Sequence, residues 1–173
     1  RVVLPLARNR TLEVYDADRE ADLARPPVGA GAPAPMLEAL RVLLAEDHPV
    51  NRRVIQLILG PMGVDLTTVE NGAEAVAAFA SGTFDVVLMD MQMPVMDGLA
   101  ATRAIRELEA QRGLGRTPII SLTANAMPHQ IAASLDAGAD MHLAKPVSRG
   151  ALFESIRAAL AMAESPAEER RTA

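Results

Sequence analysis

The stretch Val86-Val87-Leu88-Met89-Asp90-Met91-Gln92-Met93-Pro94-Val95-Met96-Asp97-Gly98 decides the fold. The strand candidate Phe84 to Met89 ends in four apolar residues with no polar alternation, as expected of a parallel strand covered on both faces. A carboxylate follows at once, then a loop with proline, then Asp97 where a helix N-cap is wanted. Strand, acid, loop and helix in that order form one unit of an open α/β sheet.

The unit recurs on both sides. Arg41 to Ala45, Val64 to Val69, Pro118 to Leu122 and Met141 to Ala144 are further strand candidates. Between them lie helical spacings: Val50, Val54, Leu57 and Ile58; Ala73, Val76, Ala77 and Ala80; Ala101, Ile105 and Leu108; Ile131 and Leu135; Leu152, Ile156 and Leu160. Asn71 and Ser148 join Asp97 as expected N-caps, Pro128 fits a first helical turn, and Gly138 stands at a helix end. Five strands alternating with five helices predict an α/β fold of (βα)5 type, a parallel sheet with helices on both faces and right-handed crossovers. Such sheets place their sites just beyond the carboxyl ends of the strands.

Those ends carry Glu46 and Asp47 after the first strand, Asp90 after the third, Thr123 after the fourth and Lys145 after the fifth. Glu70 and Asn71, after the second, read as a turn and a helix cap. Three acids, a hydroxyl and an ammonium therefore converge. Lys145 is the only lysine of the chain, and an ammonium binds a phosphoryl oxygen as a compact point charge where a guanidinium would not substitute. Two carboxylates ~4 Å apart repel by about 4 kcal/mol at an effective dielectric near 20, so the acid cluster is expected to cost stability until a hard dication arrives.

Composition excludes several classes. A net charge of −5 and a pI near 5.2 argue against a nucleic-acid surface, which needs clustered Lys and Arg. With no cysteine there is neither a disulfide frame nor a thiolate metal site, and a cytoplasmic location fits. No apolar run reaches the ~20 residues of a membrane span, so no direct membrane contact is expected of this piece. Residues 25–39 are rich in Pro, Gly and Ala and read as a linker. Residues 1–24 read as the remnant of an upstream domain, 40–163 as the folded domain, and 164–173 as a flexible tail.

The motifs L-L-A-E-D-H-P-V-N, V-V-L-M-D-M-Q-M-P-V-M-D-G, I-I-S-L-T-A-N-A and H-L-A-K-P-V together resemble the response-regulator receiver family over about Arg41 to Met162, most closely the receivers of hybrid sensor histidine kinases. The resemblance implies a flavodoxin-like strand order 2-1-3-4-5. It makes Asp90 the phosphoacceptor and Asp47, Asp90 and the backbone carbonyl of Gln92 the ligands of Mg2+ or Mn2+, with Glu46 acting through a coordinated water. Thr123 and Lys145 would contact phosphoryl oxygens, Thr123 and His142 would act as switch residues, and Gln92 and Asn125 would tune hydrolysis. The Lys145–Pro146 bond would be cis. Implied partners are a histidine kinase's phosphohistidine domain, in cis or in trans, and a histidine phosphotransfer protein. R-V-V-L-P-L at residues 1–6 resembles the last strand of a kinase ATP-binding domain, although the fragment holds none of the kinase's nucleotide motifs.

Two other functions stay open at this point. The fold could serve as a docking module that modulates an attached kinase, or an Asp nucleophile on an α/β sheet could belong to a phosphatase. The phosphatase needs D-x-D at the first strand, where this chain has adjacent Glu46 and Asp47. Asp97 reads as a cap only, His48 and His129 as exposed helix-entry residues, and the methionines around Asp90 as packing.

Overall fold

The computed structural model describes residues 40–124 and 127–164. The expected upstream remnant and linker, the tail beyond Glu164, and Asn125 lie outside the described residues; Glu164, expected in the tail, is the last residue of the fifth helix. The element order is β1 (Arg41–Ala45), α1 (Pro49–Leu59), a 3-10 turn (Gly60–Met62), β2 (Asp65–Val69), α2 (Gly72–Ser81), β3 (Val86–Asp90), α3 (Gly98–Arg112), β4 (Ile119–Thr123), α4 (Pro128–Asp136), β5 (Met141–Ala144) and α5 (Arg149–Glu164). The five strands form one parallel sheet in the order β2-β1-β3-β4-β5, as expected.

Alternation along the strands divides the core. On one face Val42, Leu44, Leu88, Ile120 and Leu122 pack with Ile55 and Leu59 of α1 and Leu152 and Ile156 of α5. On the other, Leu43, Val87, Met89 and Ile119 meet Ala75 and Phe79 of α2 and Ala101 and Ile105 of α3. Each fully buried aliphatic side chain contributes roughly 1.5–3 kcal/mol over leaving it in water, which compensates for the scarcity of aromatic residues.

The caps behave as the sequence predicts. Asn71 accepts from Glu74 N, Asp97 from Ala100 N, and Ser148 from Ala151 N. Pro128 opens α4, and Gly138 follows its end at φ 108, where any side chain would be strained. The Lys145–Pro146 bond is cis.

Periodicity locates α1 but not its buried face. Ile55 and Leu59 enter the core, while Val50, Val54 and Leu57 are exposed. The helix carries two apolar stripes, and only contact with the sheet decides between them. In α2 the fully buried positions are likewise Ala75 and Phe79, one step from the spacing read in the sequence. In α4 Leu135 is exposed and Ser134 alone is fully buried; its hydroxyl meets Ser121 Oγ of β4 at 3.3 Å.

Candidate functional site

Parallel register brings the functional side chains to one rim. Asp90 pairs with Leu122 and Thr123 with Ala144 in the ladders. Both are the last residues of their strands instead of the first residues beyond them, because Met91 N still donates to Leu122 O and Lys145 N to Thr123 O. The extra pairing fixes both backbones, so the two side chains leave a rigid edge.

At this rim one carboxylate oxygen from each of Glu46, Asp47 and Asp90 lies within 4.8 Å of the others. Glu46 is fully buried, Asp90 nearly so, and Asp47 is exposed. Lys145 Nζ stands between two of these acids, 2.7 Å from Glu46 Oε2 and 2.7 Å from Asp90 Oδ2. Toward Glu46 Oε2 the ammonium is close enough for an ion pair but out of line for a hydrogen bond. Asp90 Oδ1 accepts from Gln92 N at 3.2 Å. The formal balance is three carboxylates against one ammonium, which leaves the rim acidic.

Burial pushes the Asp90 carboxyl above its ordinary pKa. The hydrogen bond from Lys145 pulls the other way, the charge of Glu46 pushes it further up, and the net effect is upward. A dication at the rim would oppose that rise.

Three acids offering hard oxygens, one of them open to solvent, fit a magnesium-type ion that keeps several waters. Thr123 supplies a second fit. Its hydroxyl is buried and has no hydrogen-bond partner among the described residues, a costly state that a phosphoryl oxygen would relieve. Asp90, Gln92, Thr123, Ala124 and His129 line one open cleft.

The other expected positions are placed as follows. His142 lies in β5 opposite Ser121 and is exposed, outside the cluster. His48 is the exposed residue before α1, and Asp97 caps α3. His129, read only as a helix-entry residue, also lines the cleft. Asn51 and Arg52 went unassigned in the sequence. Asn51 Nδ2 donates to Glu46 Oε1 at 3.0 Å and Arg52 Nη1 to Glu46 O at 2.8 Å; their place five and six residues after an acid at a strand end was the available signal.

The β3–α3 loop is held against the start of α2 and closed on itself. Gly72 N donates to Met96 O and Gly98 N to Met91 O. Neither glycine has room for a side chain: a Cβ on Gly72 would meet Met96 O, and one on Gly98 would overlap Asp90 O.

Comparison with known proteins gives a consistent result. The family model for the response regulator receiver domain matches residues 42–157. The sensor protein GacS of Pseudomonas syringae pv. syringae is 41% identical over 147 residues, 84% of this chain and 15% of that protein. Hybrid signal transduction histidine kinase I of Dictyostelium discoideum is 40% identical over 121 residues, 67% of this chain and 7% of the kinase. The chain thus spans a small fraction of these relatives. Among solved structures, the receiver domain of a Pseudomonas aeruginosa PAO1 sensor histidine kinase, with a magnesium ion coordinated in its active-site cleft, is 40% identical. It aligns with TM-score 0.65 over 71% of this chain and 98% of that one. The receiver domain of the Saccharomyces cerevisiae response regulator Ssk1, co-crystallised with the histidine phosphotransfer protein Ypd1, is 30% identical, with TM-score 0.69 over 73% of this chain and 92% of that one.

Proposed function

This chain belongs to the response regulator receiver domain family, and on that premise we propose that it is the phosphoacceptor of a two-component relay, with Asp90 as the residue that is phosphorylated. The observation that carries the proposal is the buried, unpartnered Thr123 hydroxyl on the same rim as the Lys145–Asp90 pair. These groups flank a place where a phosphoryl group esterified to Asp90 would find both a hydroxyl and an ammonium.

A carboxylate oxygen of Asp90 forms the new bond to phosphorus as the bond from phosphorus to a donor imidazole nitrogen breaks, and the electron pair stays on that nitrogen. Lys145 and Thr123 take phosphoryl oxygens, and Gln92 N steadies Asp90 beforehand. Asp47, Asp90 and the carbonyl of Gln92 would hold a magnesium or manganese ion, which supplies neutralisation of the charge gathered on the transferring group. The protein's part is positioning and charge balance.

The relatives support a place in a hybrid histidine kinase. The donor would then be a phosphohistidine domain in cis or in trans, or a phosphotransfer protein, on the cytoplasmic side. Among the described residues no helix is long and apolar enough to cross a membrane. Exposed Val50, Val54 and Leu57 on α1, beside the rim, offer an apolar surface to such a partner. Switching would run through Thr123 and His142, and Gln92 and Asn125 would tune the lifetime of the acyl phosphate.

Incubation with magnesium and a small phosphodonor tests the proposal. One added phosphoryl group per chain is expected by mass spectrometry, whereas multiple turnover on a phosphate ester would point to a phosphatase.

A further inference from the structure

We propose that Asn51 and Arg52, neighbours in the first turn of α1, are positioning residues for the metal and phosphoacceptor site and act through Glu46. The inference rests on the reading of the rim given above and assigns it two further residues.

Every polar atom of Glu46 has a close partner, through a hydrogen bond except at Oε2, where the contact is an ion pair. Its N–H donates to Val69 O at 3.1 Å, and its carbonyl accepts from Arg52 Nη1 at 2.8 Å. Oε1 accepts from Asn51 Nδ2 at 3.0 Å and from His48 N at 3.3 Å, while Oε2 lies 2.7 Å from Lys145 Nζ. A fully buried carboxylate held at each of these points resists displacement, since leaving any one strips a buried charge or donor of its partner. Glu46 is thus a fixed post, which on the reading above acts on a metal ion through a coordinated water.

Two consequences follow from this resistance. Lys145 Nζ sits at equal distance from Glu46 Oε2 and Asp90 Oδ2, so the ammonium is placed against the acceptor by an acid that Asn51 holds still. Arg52 meanwhile grips the carbonyl directly before Asp47, whose carboxylate has no hydrogen-bond or ion-pair partner among the described residues. The direction of that exposed ligand is therefore set through its backbone. Arg52 is itself anchored, with Nη2 2.9 Å from Glu70 Oε1 on the β2–α2 turn and the side chain largely buried. Capping does not account for Asn51, because its amide reaches the Glu46 side chain and not a backbone group of α1. Groups that orient metal ligands from behind typically change metal affinity when removed.

The test is magnesium binding alone, measured by calorimetry on the full 173-residue chain without phosphodonor, with metal-free melting recorded for each variant. Asn51→Ala and Arg52→Met are each expected to raise the Kd for Mg2+ by roughly 10- to 100-fold at temperatures where they remain folded. In a Glu46→Ala background, which removes the acceptor of the Asn51 amide, Asn51→Ala is expected to add almost nothing, because its route is already cut. Wild-type affinity in the folded variants, or an undiminished effect of Asn51→Ala in that background, overturns the inference and leaves the phosphoacceptor reading intact. Arg52→Met carries the test alone if Asn51→Ala does not fold. Failure of the unaltered chain to bind Mg2+ would instead remove the metal site itself, and this inference with it.

Discussion

Lys145 Nζ stands 2.7 Å from Asp90 Oδ2. The same ammonium pairs with Glu46, so the sole lysine of the chain balances two acids with one charge. Lys145→Met should leave the buried Glu46 without its counter-ion and destabilise the metal-free protein by about 3 kcal/mol, measured by urea unfolding. Lys145→Arg should recover part of that stability, but not phosphorylation by a small donor, because a planar fork does not fill the place of a point charge.

The acidic rim makes stability depend on the ion. Magnesium at about 100 times its Kd should stabilise the wild type by roughly 2.7 kcal/mol. Asp90→Asn removes one of the repelling charges, so it should melt higher than the wild type in chelator and gain less from magnesium. Thermal melts with and without the ion check both directions.

Gly98 has no space for a methyl group, since its Cβ would overlap the backbone carbonyl of Asp90 and crowd Met91. Gly98→Ala should cost about 1–3 kcal/mol of stability through overpacking. It should also lower phosphorylation in the folded fraction, because the displaced atom belongs to the acceptor residue. Gly60→Ala, where a Cβ meets nothing nearby, serves as the control.

Acid sensitivity should have a component away from the rim. Arg41 binds both oxygens of Asp85, at 2.7 Å through Nη2 and 3.2 Å through Nε, and its backbone N–H adds a third bond. The Arg41 hydrogen bond holds the Asp85 carboxyl below its ordinary 3.8 against the opposing effect of burial. The folded state therefore binds this proton more weakly than the unfolded chain does. The stabilisation is present above the unfolded value and is lost as pH falls through the depressed folded one. The gap in melting temperature between wild type and Asp85→Asn should be widest near neutral pH and close below 3.8.

The sheet and the rim were legible in the sequence because both depend on short-range signals: apolar runs of strand length, caps, and polar residues placed at strand ends. What was not legible depends on the partner surface. The apolar pattern carries the third strand back to Phe84, yet Phe84 stacks on Phe79 at 6.3 Å, Asp85 bonds Arg41 through its backbone N–H and its carboxylate, and the strand begins at Val86. Val50, Val54 and Leu57 have the spacing of a buried face, but the sheet takes Ile55 and Leu59. Arg106 shows the same limit: besides its neighbour Glu109 in α3 it binds Thr117 O, Gly138 O and Asp140, and the last two are contacts between segments far apart in the chain that no local pattern announces. Asn51 was within reach, since it lies in the quoted motif, but its bond to a buried acid needs the fold to be seen.

The central claim is that Asp90 carries the phosphoryl group, and chemical trapping addresses it most directly. The chain is incubated with magnesium and a small phosphodonor, the acyl phosphate is reduced with borohydride, and the modified residue is located by peptide mass spectrometry. The account predicts homoserine at position 90, dependent on magnesium and absent from Asp90→Asn. Reduction at another acid, or equal labelling of Asp90→Asn, would contradict it.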